Sequence, residues 1–437
     1  MKASQLLKEL DFGNSVAEFD EQLDEYFVET QIYSDFINGK YDIVSGDKGA
    51  GKTAIYRIVR DKHRDIPQLS GVELIPGFND AGNPVFQRLS QSEQLQEGEY
   101  ITVWKSYITS LLGNYILNIF EGGHTAKMVE LGKVLTAVGL RSRDATASTI
   151  FSQLTNLLRS FSKPNKASIK FSVTEAGLPV IAPTIDFSTV ETHDEGLQII
   201  INSDDAMKLL NETIKEAETN IWLVLDRLDE AFAGYSQIEV PALRALFRVY
   251  LDMQAHSNIK LKLFVRNDLF RKVVRGGFVN LTHVNARRKQ IKWHPDDLYA
   301  LLCRRIREKP EFMQAYGVSL ADPGPDLDIF LKVFPAQVDI GKKNPTAWNW
   351  ILGRIRDGNG IAPPRNLIDF INKAKELQAR REERDPREFD SSMPLIEAES
   401  LRRALSELSE QRVQDTLLAE SGEYAAVISG FKNGKAE

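Results

Sequence analysis

The 437-residue chain contains one cysteine, Cys303, so it can form neither an internal disulfide nor a thiolate metal cluster. It sits in DDLYALLCRRI, where helical spacing suits burial better than nucleophilic chemistry. Histidine is sparse as well: the six, at 63, 124, 193, 256, 283 and 294, form no i, i+4 pair of the kind a zinc site uses. No apolar run approaches the roughly 18 residues of a membrane span. The opening MKASQLLKELDFG has too short an apolar stretch and too early an acid for a signal peptide. The chain is therefore expected to be cytoplasmic, with no membrane partner. Net positive charge is lacking too: 55 Lys and Arg against 61 Asp and Glu give −6, which argues against general affinity for nucleic acid and leaves only local basic patches. No fixed-period repeat or low-complexity tract is present.

What is present is ample core material, with 42% apolar residues, enough for two or three packed units. Three regions are expected: 1–40 as a lead with a short helix, 41–308 as a core with an accessory insertion at about 122–200, and 309–437 as a helical C-terminal domain. Thr30 can N-cap a short helix that Asn38-Gly39 ends, and a strand then runs from Tyr41 to Ser45. A helix follows from about Lys52 to Asp61. GVELIPGF at 71–78 suits a core strand, and EYITVWKSYITSLLGNYILNIFE at 99–121 a long apolar helix. ASTIFSQLTNLLRSF suits a further helix, and ASIKFSVTEAGLPVIAPTIDFSTV a hairpin around Glu175-Ala176-Gly177. From 203 helices alternate with short buried strands at 221–225 and 259–266 and a strand-like RRKQIKW. That alternation implies a parallel sheet covered on both faces, an α/β fold of the three-layer αβα kind. Beyond 308 the pattern is helical.

The segment Gly46-Asp47-Lys48-Gly49-Ala50-Gly51-Lys52-Thr53, followed by Ala54, fits G-x-x-x-x-G-K-[ST] between a strand and a helix. Glycines let backbone N–H groups curl around phosphates, Lys52 reaches the β and γ phosphates, and Thr53 can bind magnesium. A second element is IWLVLDRLDEAF: an apolar run, then Asp226 as a magnesium carboxylate at the strand tip. Arg227 stands where an adjacent glutamate base is usual, so Asp229 or Glu230 must position water if the protein hydrolyses nucleotide. No N-K-x-D element follows a strand, which argues against guanine, so ATP is favoured by elimination.

The strand at 259–265 ends in Arg266-Asn267-Asp268, and in a parallel sheet such ends face the ligand crevice. Arg266 or Asn267 could sense the γ-phosphate there. Ten basic residues against one acid between Lys260 and Lys292 fit a solvated face, a nucleic-acid groove, or arginine fingers for a neighbouring subunit; Arg266, Arg271, Arg275, Arg287 and Arg288 are the finger candidates. Base-stacking aromatics do not interleave, which weakens the nucleic-acid option. Arg365, in the first turn of the helix in PPRNLIDFINKAKEL, opposes the helix dipole and could be aimed at a phosphate.

With GDKGAGKT, LVLDRLDE, the polar strand end and PPRNLI together, the sequence resembles AAA+ and STAND-type P-loop ATPases. With DEYFVET, DRLDEAF, LFVRNDLF and PPRNLIDF added, it resembles bacterial stand-alone P-loop ATPases associated with anti-phage defence. The resemblance implies a P-loop NTPase fold and an ATP- and Mg2+-dependent switch that forms a homo-oligomer or controls a partner effector. It also implies roles: Lys52 and Thr53 on phosphate and magnesium, Asp226 on magnesium, Asp229 or Glu230 on water, Asn267 as a sensor and Arg365 as a second sensor.

Overall fold

The structure is a computed structural model that describes residues 2–78, 97–143, 202–231, 236–275, 277–319, 324–357, 360–418 and 424–430, together with 146, 149–150, 153–154, 171–173 and 179–181. The chain divides into two compact units: 31–47 with 55–291, and 1–30 with 48–54 and 292–437.

The first of these is built on a five-stranded, all-parallel sheet. Strand β1 is Ile43–Gly46, β2 Val72–Pro76, β5 Asn220–Leu225, β6 Ile259–Arg266 and β7 Arg288–Gln290, in the order β2-β5-β6-β1-β7. β6 therefore separates β1 from β5. Ile43 and Val44, Ile221 to Leu225, and Leu261 to Val265 are all buried, as strands covered on both faces require. β3 (Phe171–Val173) and β4 (Pro179–Ile181) form a separate antiparallel pair, as the alternation there implied. The rest of that stretch lies outside the described residues, as does most of the helix expected at 147–161.

The long helix Glu97–Ile119 is apolar nearly all round and buried over most of its length, so its apolar faces are covered by other elements. It packs against the helices Ser236–Met253, Ser203–Glu216 and Ala126–Ala137. Its polar groups are matched: Trp104 Nε1 donates to Ala242 O at 2.9 Å, and Lys105 pairs with Asp204 and Asp252, each at 2.6 Å. Ala126–Ala137 lies in the stretch read as an insertion, yet Met128, Leu131, Val134 and Leu135 join the same core.

At the N-terminal side of β1 an ionic cluster is buried. Lys262 is 0% exposed and donates to Asp42 Oδ1 at 2.8 Å and Tyr41 O at 3.0 Å, with its ammonium 4.0 Å from the Trp222 ring centroid. Asp42 Oδ2 accepts from Tyr250 OH at 3.0 Å and Arg287 Nε at 2.9 Å. Burial, only partly offset by Asp42, pushes Lys262 down to about 8. Burial works to raise Asp42, but Lys262 and Arg287 outweigh it and hold the carboxyl below its usual range.

The other unit is helical, and among its described residues the single β feature is an isolated bridge of Lys2 to Glu388. The helix Ala3–Glu9 packs with Pro295–Arg307, Pro310–Ala315, Asp326–Val333, Ala347–Ile355, Pro364–Arg384 and Ala398–Arg412 around one core that includes Leu6, Leu7, Phe330, Trp350 and Phe370. Tyr26, from DEYFVET, donates to Asp20, and Arg305 pairs with Asp20 at 3.1 Å while its guanidinium carbon sits 4.0 Å from the Tyr26 ring centroid. Cys303 is fully buried, its thiol 3.5 Å from Asp326 O and pushed up to about 12 by burial.

Candidate nucleotide site

β1 ends at Gly46 and the helix Lys52–Lys62 starts at Lys52, so the glycine segment is the turn joining strand to helix, as its spacing implied. Gly49 and Gly51 take φ of +76° and +97°, values that residues with a Cβ avoid. Two residues of the helical unit hold the loop. Trp293 Nε1 donates to Ala50 O at 2.9 Å, and the backbone N–H of Arg365 approaches Gly49 O at 3.4 Å. A Cβ added at Gly49 would lie 2.7 Å from Arg365 Cβ. Lys48, Gly49, Ala50, Gly51, Lys52, Thr53, Ala54 and Arg365 thus fall within one unit, with Lys48 exposed and Lys52 and Thr53 half-buried. Arg365 is in the first turn of Pro364–Arg384, and its Nε is shielded from solvent with no hydrogen-bond partner among the described residues.

In the sheet unit, Gly46, Asp226 and Asn267 stand at the C-terminal ends of β1, β5 and β6, the edge where open parallel sheets hold ligands. The edge is stepped: Gly46 pairs in register with Arg266, whereas β5 stops at Leu225, opposite Leu263. Asp226 and Asn267 are both buried, at 6% exposure. Arg227 follows Asp226 with φ of +56°, and its carbonyl accepts from the N–H groups of Glu230 and Ala231, so the chain turns sharply into the short helix Leu228–Ala231. This places Asp229 and Glu230 in a first helical turn rather than on the strand.

Both of those carboxylates are ion-paired. Arg266 Nη1 lies 3.2 Å from Asp229 Oδ2, its Nε and Nη2 donate to Asp268 at 3.0 and 2.9 Å, and Arg227 lies 3.6 Å from Glu230. Burial works to lower the Arg266 pKa, but Asp268 and Asp229 outweigh it and raise it; burial works to raise Asp268, and Arg266 holds it below the usual carboxylate range.

The basic run divides in the same way. Lys262 and Arg287 serve Asp42, Arg266 serves Asp229 and Asp268, and Lys272 pairs with Glu239 at 2.9 Å. Arg271 and Arg275 are exposed on the helix Asn267–Arg275, and Lys260, Lys289 and Lys292 are exposed as well. Arg288 enters the strand-end cluster: its Nε donates to Ser45 Oγ at 2.9 Å, and its Nη2 lies 3.4 Å from Asn267 Oδ1.

Trp293 and Ser45 were not legible as site residues, and Arg288 was legible only as one of five candidate arginine fingers. Trp293 closed a strand-like tail, Ser45 was one more strand residue, and Arg288 was one of ten basic positions. Among the described residues no group of three or more His, Cys, Asp or Glu side chains is placed to hold a metal ion. No helix among them is long and apolar enough to cross a membrane. No known family model matches the chain, and no curated protein matches it significantly.

Proposed function

We propose that the protein is an ATP-binding switch that hydrolyses ATP slowly, its nucleotide state controlling self-assembly or a partner effector. The observation that carries this reading is the loop itself: two glycines in left-handed conformation, Gly49 beside Arg365, whose shielded Nε has no acceptor among the described residues. A guanidinium with one shielded, unpartnered N–H at a glycine turn fits an anionic ligand, because an unsatisfied buried donor is costly. The strand order supports the same reading, since Asp226 and Asn267 share one sheet edge with Gly46.

In this reading Gly46 to Ala54 hold the triphosphate, Lys52 neutralises its β and γ phosphates, and Thr53 and Asp226 hold magnesium. Bound magnesium would draw charge from the phosphates and orient them. Asn267 and Arg365 contact the terminal phosphate, and Asp229 or Glu230 orients water. With each of those two carboxylates paired to an arginine, neither is poised to act, which favours retention of ATP over rapid turnover. The role in anti-phage defence follows from the resemblance of motifs alone.

Calorimetric ATP titration of wild type and Lys52→Ala tests the site. Unchanged affinity in Lys52→Ala would sink it. Turnover in Asp229→Ala and Glu230→Ala then assigns water positioning to the residue whose loss stops hydrolysis while binding persists.

A further inference from the structure

Arg288 opens β7 and stands opposite Ile43 in register. Its guanidinium is fixed from three sides: Ser45 Oγ at 2.9 Å from Nε, Asn267 Oδ1 at 3.4 Å from Nη2, and the Phe270 ring centroid at 3.8 Å from Cζ. Among the described residues no carboxylate pairs with it, whereas Arg266 has two such partners and Arg287 one. Burial lowers its pKa, yet a guanidinium stays charged at physiological pH. A half-buried cation held by a ring, a hydroxyl and an amide oxygen contributes little to stability through charge pairing. It can, however, do something geometric.

Arginine has donors and no acceptor. Its approach to Asn267 therefore draws the amide oxygen toward Arg288 and turns Nδ2 the other way, and Asn267, 6% exposed at the end of β6, is packed in that orientation. We propose that Arg288 is a positioning residue that sets the amide polarity of Asn267, so that Nδ2 is presented as a donor to the terminal phosphate of a nucleoside triphosphate. The inference rests on the ATP reading above. A carboxamide held the other way would face the phosphate with its oxygen and be repelled. Ser45, the residue before Gly46, is the second anchor, so the same guanidinium ties the end of β1 to the end of β6.

The test uses the full chain and the variants Arg288→Met, Asn267→Ala and their combination. Two quantities are read: the ratio of ATP to ADP affinity by calorimetry, and the asparagine side-chain amide resonances of nucleotide-free, selectively labelled protein. Each single variant is expected to cut the preference for ATP about tenfold, the scale of one hydrogen bond to a charged group, with ADP affinity changed less than about twofold. The double variant should be no worse than Asn267→Ala. Without nucleotide, Arg288→Met should shift the Asn267 Nδ2 resonances, which are identified by their loss in Asn267→Ala. An unchanged ATP preference in Arg288→Met, equal losses for ATP and ADP, or additive losses in the double variant would each overturn the proposal. If Arg288→Met does not fold, Arg288→Lys replaces it: one ammonium cannot hold both Ser45 and Asn267, so the preference should again fall, and its full retention overturns the role. Lys52→Ala separates the two readings. If it binds ATP like wild type, the phosphate site is wrong and the proposal falls with it; if binding depends on Lys52 but Arg288→Met keeps the wild-type ratio, the Arg288 role alone is removed.

Discussion

Gly49 has no room for a side chain. Its φ of +76° costs an L-residue about 1–2 kcal/mol, and a methyl group there would meet Arg365 Cβ at 2.7 Å. Gly49→Ala should therefore lower stability by about 2 kcal/mol and weaken ATP binding, read by urea unfolding and calorimetry. A wild-type result in both would mean that the loop works in a different conformation. A second residue-scale test concerns the restraint on Asp229. If Asp229 positions water, Arg266→Met releases it and ATP turnover should rise several-fold, a modest share of what general-base positioning supplies. A fall in turnover would instead make Arg266 part of the working site. The strand, glycine turn and helix around Lys52, and the place of Asp226 at the end of β5, were legible because each is local in the chain. Arg288 was legible only as one candidate finger among several, since what distinguishes it from Arg287, one residue away, is contact with Ser45 and Asn267, 243 and 21 residues distant in sequence.

Strands and helices were legible to different degrees, for physical reasons that differ. The run Ile221 to Leu225 in β5 is continuous because both sheet faces are covered, and the long helix Glu97–Ile119 is apolar nearly all round because other helices surround it. The helix Ala126–Ala137 was hidden by its position after a glycine turn, where only its packing shows that it belongs to the core. Lys262 was hidden more completely. Lys260 and Lys262 share a face of β6, yet one is exposed and the other buried against Asp42, 220 residues earlier. That burial has a consequence for pH. The unfolded lysine titrates near 10.4 and the folded one near 8. Below pH 8 both states carry the proton and the cost of burying the charge is fully present. Between about 8 and 10.4 the unfolded chain binds a proton that the folded chain does not, so this residue makes stability rise with pH, by up to about 3 kcal/mol. Urea unfolding of wild type and Lys262→Met from pH 7.5 to 10 should show that rise in wild type alone. Parallel curves would refute it.

At the scale of the molecule, the division of the chain follows contacts rather than sequence order. Residues 1–30 and the segment 48–54 join the helices from 292 onward. Sequence order gave no sign that residues 1–30 would group with those helices, because a chain start carries no signal of the distant helices it meets. If the nucleotide controls assembly, the mass measured by light scattering should change with ATP and magnesium in wild type and stay constant in Lys52→Ala. The same mass in both conditions would refute the assembling switch. Nucleic acid is a weaker candidate partner than the basic run suggested, because Lys262, Arg266, Lys272 and Arg287 are occupied by acids of the same unit. Duplex DNA binding, if measured at low salt, should therefore show a shallow salt dependence, since few cations remain to displace counterions. A steep slope abolished by neutralising Lys289 and Lys292 would reverse that judgement.

The burial of Cys303 also makes the protein convenient to observe. The chain's one thiol is fully enclosed and holds its proton until about pH 12, so a maleimide dye at neutral pH has no native target. With Val279→Cys, at a position 73% exposed, the new thiol would be labelled alone, giving a single-site fluorescent label without removing any native residue from the helical core.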